Sequence, residues 1–382
     1  MTMAERIYFD YNATGIPKRG VIDAVAEAMS HVGNPSSVHG AGRAARLRVD
    51  DARASIAALI NTSPQNIIFT GCGTEANNMA LRGTAAASII HSVIEHEATV
   101  EAATATGKPV YHVAVDAHGV VDMAALVKAL ATAPSPALVS IMLANNETGV
   151  IQPIADIAKA AHEFGALVHT DAIQAVSKIP VDFSALGVDM MSIAAHKMGG
   201  PQGIGALIVR PGIDVNAFLV GGGQERGRRS GTENVAGIVG FGVASELAQR
   251  DMDKYDHVRQ LRDELQAKIL ACAPDAKAFG SGGERLPNTL SISMPGVPGD
   301  VQVMQFDLAG IALSSGSACS SGRVRESHVL NAMGAGQDGL NAIRISMGPD
   351  TNAGEVDRFF KAWQKIYQKK AGQAEMAKAS AK

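Results

Sequence analysis

Cysteine is scarce in this chain of 382 residues. Only Cys72, Cys272 and Cys319 occur, without a C-x-x-C motif or regular spacing. These cysteines exclude a disulfide framework and a cysteine-based zinc site, since both need more cysteines at short spacings. A cysteine in a conspicuous setting is therefore a candidate for chemistry.

The chain also lacks a charge excess and long apolar runs. Its 34 basic and 37 acidic residues give a net charge of -3, so we expect no nucleic-acid partner. No apolar stretch approaches the roughly 20 residues of a membrane helix. Residues 1–11 lack the basic and then apolar pattern of a signal peptide. We therefore expect a cytoplasmic protein without a membrane span, whose partners are small molecules or proteins.

The order of apolar segments predicts an α/β fold. Between Ala24 and Gly212, short apolar runs alternate with amphipathic stretches, a pattern typical of a mostly parallel sheet covered by helices. The predicted strands cover residues 66–70, 87–92, 110–115, 137–142, 167–170, 190–193 and 204–209. The predicted helices cover residues 42–60, 74–83 and 154–164.

A different pattern begins near residue 255, and the length of the chain suits two packed domains. A long charged helix over 255–272 precedes a strand over 289–294 and helices near Val301 and Thr351. We therefore predict a large domain over 13–254 and a small α+β domain over 1–12 and 255–368. The tail, 369–382, is rich in Lys, Ala and Gln and is expected to be disordered.

The strongest local signal is an acid at the end of a predicted strand. Strand 167–170 runs directly into Asp171, and Gln174 follows three residues later. Ligands of open α/β sheets bind at this carboxyl edge. A carboxylate there can pair with a protonated pyridine nitrogen, and the amide can serve the phenolic oxygen of the same ring. The alternative is an ordinary acid that caps the next helix, and the motif alone favours that alternative.

Lys197 occupies a glycine-rich turn after the strand over 190–193, next to His196. A lysine beside a cationic group or in an apolar cavity loses its proton readily and can form a Schiff base. A surface lysine in a loop is the alternative. The strand-end Asp171, one βα unit earlier, favours a catalytic lysine.

A phosphate site is suggested by Gly73 and Thr74, which stand between a strand and a helix. Backbone N–H groups at a helix N-terminus bind phosphate, although a plain helix cap by Thr74 explains the motif equally well. No P-loop motif occurs. The G-x-G-x-x-G at 334–339 follows a helical pattern instead of a strand, so nucleotide binding is not supported.

Four further residues are candidates for the same site. His96 and Asn146 each follow an apolar strand. His96 could stack on a ring and transfer protons, and a structural role is the alternative. For Asn146 the alternative is a role in a turn. Cys319 lies among small polar residues, a setting typical of an exposed, reactive thiol. Arg344 alternates with apolar neighbours and could bind a substrate carboxylate or form a simple ion pair.

Several segments together closely resemble the cysteine desulfurases of the NifS and IscS type, within the class-V aminotransferase group of fold-type I pyridoxal-phosphate (PLP) enzymes. They extend over most of the chain and cover residues 8–14, 33–37, 145–149, 169–174, 196–197, 221–234 and 314–320.

The resemblance implies PLP as the cofactor and L-cysteine as the substrate. It implies that Lys197 carries the cofactor, that Asp171 faces the pyridine nitrogen and that Gln174 faces the phenolic oxygen. The phosphate would be held by Gly73, Thr74 and His196. His96 would lie over the ring, Asn146 near substrate and cofactor, and Arg344 at the cysteine carboxylate.

The resemblance also implies sulfur transfer and a homodimer. Cys319 would take the sulfur of cysteine as a persulfide, release alanine and pass the sulfur to an acceptor such as an iron-sulfur scaffold protein. Thr232 would reach the phosphate of the neighbouring subunit. A selenocysteine lyase, a class-V aminotransferase or lyase for another amino acid, and a catalytically silent binding protein are the alternatives.

One position departs from this family. Relatives usually have serine where this chain has Ala194, so one hydroxyl contact to the phosphate is expected to be missing. The sequence therefore predicts weaker PLP retention, with Thr74 or Thr232 carrying more of the phosphate binding.

Overall fold

The computed structural model describes residues 6–315 and 326–380, with side chains up to residue 370. The β-strands are β1 Ile7–Tyr8, β2 Ile67–Thr70, β3 Ser88–Ser92, β4 Val110–Val113, β5 Ala137–Ser140, β6 Leu167–Asp171, β7 Met190–Ala194, β8 Gly205–Val209, β9 Ala278–Phe279, β10 Thr289–Ser293, β11 Ile311–Ala312, β12 Ser314–Ser315 and β13 Ala342–Ser346. The α-helices are α1 Arg19–Met29, α2 Gly40–Leu59, α3 Gly73–Gly83, α4 Glu97–Thr104, α5 Met123–Thr132, α6 Ile154–Glu163, α7 Phe183–Leu186, α8 Val235–Arg250, α9 Lys254–Cys272, α10 Gly299–Leu308, α11 His328–Ala332, α12 Gln337–Leu340 and α13 Ala353–Ser380.

The large sheet contains seven strands in the order β2-β8-β7-β6-β5-β3-β4. Strand β8 runs antiparallel to β2 and β7, and the other neighbouring pairs are parallel. Most of these strands are buried along their whole length, because helices cover both faces of the sheet. The predicted fold class and the seven predicted strands are confirmed.

Helix α2 is held to the large sheet by an apolar stripe. Val49, Ala52 and Ile56 recur at helical spacing and are buried in the main core. Helix α8 crosses α2 closely at Gly242, where an added Cβ would lie 2.7 Å from the Cα of Ala52. Glycine thus allows the two helices to pack backbone to backbone.

A second core belongs to the smaller sheet, whose strand order is β12-β13-β10-β9. Phe306, Phe359 and Trp363 are fully buried there, and Phe9 from the start of the chain packs with them. Strand β1 pairs with β11, so residues 7 and 8 also lie beside the C-terminal part of the chain. This arrangement places the segment that follows β1 between the two cores.

Helix α13 begins at Ala353 and continues to Ser380, into the segment from residue 369 for which the sequence predicts disorder. The disorder of this tail stays a prediction. Alanine, glutamine, glutamate and lysine are strong helix formers, so the composition that gives this tail little to bury also favours helix propagation. None of the helices in residues 6–315 and 326–380 combines the length and apolar character of a membrane span.

Candidate active site

A cavity of about 310 Å³ lies at the carboxyl edge of the large sheet. Parallel strands β6 and β7 end there side by side, with Asp171 paired to Ser192 in the register. The residues that line the cavity come from both parts of the chain: Asn12, Ala13, Cys72, Gly73, Thr74, Asn77, His96, Ala98, Met142, Ala144, Asn146, Asp171, Ile173, Gln174, Ala194, His196, Lys197 and Arg344.

Lys197 enters this cavity from a short 3-10 turn, Ala195–Met198, directly after β7. Its Nζ donates hydrogen bonds to the backbone oxygens of Asn12 at 2.7 Å and Ala13 at 2.9 Å. Burial, and then the positive charge of Arg344, lower the pKa of Lys197 to about 8. About a tenth of this amine is therefore unprotonated, and so nucleophilic, at pH 7, compared with far less for an ordinary lysine.

Asp171 ends β6 with a fixed carboxylate. Its Oδ2 accepts a hydrogen bond from Asn77 Nδ2 at 2.7 Å, and its Oδ1 accepts one from the backbone N–H of Ile173 at 3.0 Å. The side chain is buried but lines the cavity. Since a carboxylate has about four acceptor positions, Asp171 can accept a further proton donor from a ligand.

Gln174 presents its amide to the same cavity. Its Nε2 donates to the backbone oxygen of Asn12 at 2.8 Å, and its Oε1 accepts from Lys178 Nζ at 2.5 Å. An amide nitrogen carries two hydrogens. The second N–H of Gln174 has no partner among the residues that the structure describes, so a ligand can accept it.

The turn before α3 leaves no room for a side chain at Gly73. A Cβ added there would lie 2.3 Å from Cδ1 of Ile173. Gly73 is the first residue of α3, and Thr74 is exposed to the cavity beside it. The backbone N–H groups of Gly73 and Thr74 have no hydrogen-bond partner among the described residues, so they can bind an anion in the cavity.

His196 faces the cavity next to Lys197. Its Nδ1 is hydrogen-bonded to Thr14 Oγ1 at 2.9 Å. Burial, and then the charges of Lys197 and Lys178, lower the pKa of His196 to about 4. The ring is therefore neutral at physiological pH and has one N–H to donate.

His96 caps helix α4, and its Nδ1 accepts the backbone N–H of Ala98 at 3.1 Å. Since Nδ1 is an acceptor, the proton of the neutral ring is on Nε2. Burial is the main cause that lowers the pKa of His96. The neighbouring Glu95 is fully buried and accepts the backbone N–H of Met142, which fixes the start of α4 to the end of β5.

Arg344 is buried on β13, with its side chain only 2% exposed. Its Nη2 pairs with Asp10 Oδ1 at 2.7 Å, and its Nη1 donates to the backbone oxygen of Asn146 at 3.1 Å. Its Nε is buried and finds no acceptor in the part of the chain that the structure describes. An unsatisfied buried donor at the edge of a cavity is suited to an anionic ligand.

One predicted residue, Thr232, is not brought to this cavity, and another falls outside the part of the chain that the structure describes. Thr232 lines a separate, smaller cavity together with Glu225 and Arg229. Cys319 lies outside the described residues. The other predicted residues, Gly73, Thr74, His96, Asn146, Asp171, Gln174, Ala194, His196, Lys197 and Arg344, all line the cavity.

Four residues of this region are absent from the sequence prediction. Asn12, Asn77 and Cys72 line the cavity, and Lys178 contacts it through Gln174. Asn77 follows Gly73 by four residues, so helical spacing from the predicted phosphate turn indicates its position. No comparable signal marks Asn12 or Lys178, because their roles depend on contacts between distant parts of the chain.

The fold and this cavity define a PLP-dependent enzyme. The model of the class-V aminotransferase family matches residues 7–359. A cysteine desulfurase from Cereibacter sphaeroides is 42% identical over 371 residues, which cover 94% of both chains. The cysteine desulfurase IscS of Dictyoglomus turgidum is 39% identical and covers 96% of both chains. The structure of a NifS-like protein from Rickettsia africae has a TM-score of 0.89 at 35% identity and covers 95% of this chain and 100% of that one. The chain belongs to the class-V aminotransferase family and, within it, to the cysteine desulfurases.

The residues of the cavity fit PLP. The close approach at Gly73 leaves a helix N-terminus open for a phosphate, and Asp171 retains acceptor capacity for a pyridinium N–H. Lys197 supplies an amine of lowered pKa between them. Ala194, at the end of β7, is buried beside Gly73 and provides no hydroxyl.

Replacing Ala194 by serine is expected to tighten PLP binding about five- to tenfold, because one added hydrogen bond contributes about 1 kcal/mol. The measurement is the dissociation constant of PLP, obtained by titrating the apoprotein. Ala144→Ser, at another cavity position, is the matched control. An unchanged constant in Ala194→Ser would show that the phosphate does not bind beside residue 194.

Proposed function

We propose that this protein is a cysteine desulfurase, which releases L-alanine from L-cysteine and keeps the sulfur as a persulfide on Cys319. The observation that carries the proposal is the convergence of Lys197, Asp171 and Arg344 on one cavity of a chain from the cysteine desulfurase family. The unpaired Nε of Arg344 supports a substrate with a carboxylate.

PLP, when bound, supplies an electron sink for the bond changes at the substrate. Lys197 would hold it, Asp171 and Gln174 would bind its ring, and Gly73, Thr74 and His196 would bind its phosphate. His96 and Asn146 would face the ring and the substrate. All of these residues line the cavity.

Three residues of the chain carry out separate steps of the reaction. Arg344 binds the cysteine carboxylate, and the amine of Lys197 removes the proton from the substrate Cα. The Cys319 thiolate attacks the substrate sulfur, so that an S–S bond forms while the C–S bond breaks. The electron pair of the C–S bond remains with carbon, and alanine is complete once Cβ has gained a proton and a proton has returned to Cα.

The same proposal includes a homodimer and a sulfur acceptor. Thr232 lies away from the cavity of its own chain, which is consistent with a contact to the phosphate of the partner subunit. The persulfide would pass to a protein acceptor in the cytoplasm, with an iron-sulfur scaffold as the favoured class because of the IscS and NifS relatives.

Uptake of PLP by the apoprotein is expected to accelerate as the pH rises and to level off above a midpoint near 8. Below this pKa the Lys197 amine is protonated and cannot attack an aldehyde; above it the amine is free. The rate is followed by the visible absorbance of the bound cofactor. A rate that does not change between pH 7 and pH 9 would contradict the lowered pKa.

Replacing Arg344 by lysine is expected to raise the KM for cysteine roughly 10- to 100-fold, with a smaller change in kcat, because a charged hydrogen bond to the carboxylate is lost. Lysine keeps a positive charge beside Asp10, so the carboxylate is not left unpaired. Steady-state kinetics with cysteine give both constants. A fall in kcat at constant KM would place Arg344 outside substrate binding.

The decisive experiment is to incubate the enzyme with cysteine and determine its intact mass. One added sulfur, located on Cys319 by peptide mapping, together with stoichiometric alanine, is the expected result. Alanine and sulfide without protein-bound sulfur would indicate a lyase. Turnover of selenocysteine that persists in Cys319→Ala, with loss of cysteine turnover, would favour the selenocysteine lyase alternative.

A further inference from the structure

Lys178 is a buried lysine without an acidic partner. Its side chain is 2% exposed, and no carboxylate of the described residues lies within ion-pair distance of it. Charged side chains are rarely buried unless they are paired, since desolvation of the charge is costly. Burial, and then the charges of Lys197 and Arg344, lower the pKa of this amine well below its usual value. A lysine retained in such a position requires a specific explanation.

The contacts of Lys178 are both amide oxygens at the active site. Its Nζ donates to Gln174 Oε1 at 2.5 Å and to Asn12 Oδ1 at 2.8 Å. The preceding residue, Ser177, has a φ of 81°, a left-handed conformation that is unusual for serine. Strained backbone of this kind persists where the surrounding structure fixes it. The backbone is therefore strained at residue 177, the position that directs Lys178 inward.

These contacts determine which way the Gln174 amide points. The Lys178 amine carries N–H donors whether or not it is protonated, and the amide atom that accepts one of them is the oxygen. The backbone oxygen of Asn12 can only accept, so the other amide atom must be the nitrogen. The second N–H of that nitrogen is then left on the side of the cavity.

Asn12 connects the same network to the small sheet. Its Oδ1 also accepts from Asn288 Nδ2 at 3.1 Å, and its Nδ2 donates to Thr289 Oγ1 at 2.9 Å. Its backbone oxygen accepts the amine of Lys197. Lys178 therefore holds both a cavity amide and the residue to which Lys197 is hydrogen-bonded.

We propose that Lys178 is a positioning residue, which holds the Gln174 amide with its nitrogen presented to the phenolic oxygen of PLP. This inference rests on the proposed function, since it concerns the cofactor's ring. An N–H donor at the phenolic oxygen stabilises the anionic form of that oxygen. The phenolic oxygen then has a weaker hold, that is, a lower affinity, for the proton that it shares with the Lys197 nitrogen. Loss of Lys178 would free the amide and strengthen that hold.

The test is the pH titration of the visible absorbance of the PLP-loaded protein. In Lys178→Met the midpoint is expected to move upward by about 0.5 to 1 pH unit relative to the unsubstituted protein, the equivalent of one hydrogen bond. Lys108→Met is the matched control, because Lys108 bonds the backbone oxygen of Thr84 and does not line the cavity. Its midpoint should not move.

Action through Gln174 is tested by a double-mutant cycle with Gln174→Met. Lys178→Met should shift the midpoint by less than half as much in that background as it does alone. Fully additive shifts of the midpoint would overturn the inference. So would a folded Lys178→Met protein whose midpoint is unchanged and whose thermal stability alone is lower.

If Lys178→Met does not fold, Lys178→Gln is titrated instead. It keeps one amide donor, so a smaller upward shift is expected, and an unchanged midpoint would again overturn the inference. Failure of the proposed function gives a different result. If the unsubstituted protein shows no cofactor absorbance after treatment with PLP, the proposed function is contradicted. If the absorbance band is normal and substitution of residue 178 does not change its titration, only the role of Lys178 is contradicted.

Discussion

Replacing Lys197 by alanine is expected to reduce the turnover of cysteine by at least about 10³-fold, since in the proposed reaction Lys197 both transfers the proton and holds the cofactor covalently. The structure supports this magnitude. The Nζ of Lys197 lies in a buried cavity, and the amine is held by two backbone oxygens of residues 12 and 13. Another lysine could replace it only from the same cavity, and the nearest, Lys178, is engaged with Asn12 and Gln174.

Alanine formation and the cofactor's absorbance spectrum measure this effect. Lys197→Ala should still bind PLP, because Asp171 and the Gly73 turn are unchanged, but the absorbance should match free aldehyde and the cofactor should be removed by gel filtration. Lys108→Ala is the control for a partly buried lysine elsewhere. Turnover above a tenth of the original in Lys197→Ala would show that a different group performs the chemistry.

The fold follows closely from the sequence because burial and periodicity determine it locally. Each of the seven large-sheet strands is an apolar run, and the stripe of Val49, Ala52 and Ile56 marks helix α2 without further information. The cavity residues that follow strands, such as Asp171 and Lys197, are also predictable. Parallel strands end at one edge of the sheet, which brings their following residues together.

The remaining residues of the site depend on contacts that a local pattern cannot reveal. Asn12 precedes the large sheet by some distance in sequence, yet it joins Gln174 and Lys197 to Asn288 and Thr289. Lys178 contradicts the general rule that lysines are exposed, so composition predicts the opposite of its position. Arg344 is similar: the sequence suggests a strand arginine, whereas its unpaired Nε is visible only in the structure.

The C-terminal segment shows how burial and intrinsic helix propensity lead to different expectations. Segment 369–382 has few apolar residues to bury, so a pattern based on burial predicts disorder. Intrinsic propensity, which acts without burial, favours helix for its alanine, glutamine and lysine. Helix α13 already has a buried anchor at Phe359 and Trp363, and it continues from there to Ser380.

Replacing Cys319 by alanine is expected to abolish alanine formation from cysteine, with a loss of at least about 10³-fold, because in the proposed reaction Cys319 is the nucleophile that accepts the sulfur. The binding of PLP and of cysteine should be retained. Asp171, Lys197 and Arg344 are unaffected by this change, so addition of cysteine should still alter the cofactor's absorbance. Single-turnover spectra and alanine assays together distinguish a missing nucleophile from a damaged site.

The two other cysteines provide the controls. Cys272 lies on α9, away from the cavity, and Cys272→Ala should turn over cysteine normally. Cys72 is the sharper comparison, because its thiol is exposed and lines the cavity. Its Sγ accepts the backbone N–H of Glu75 at 3.4 Å as the cap of α3, so we assign Cys72 a structural role. Cys72→Ala should therefore still acquire one sulfur on Cys319 from cysteine. Sulfur found on Cys72 in Cys319→Ala, with turnover preserved, would transfer the nucleophile's role to the residue before the phosphate turn.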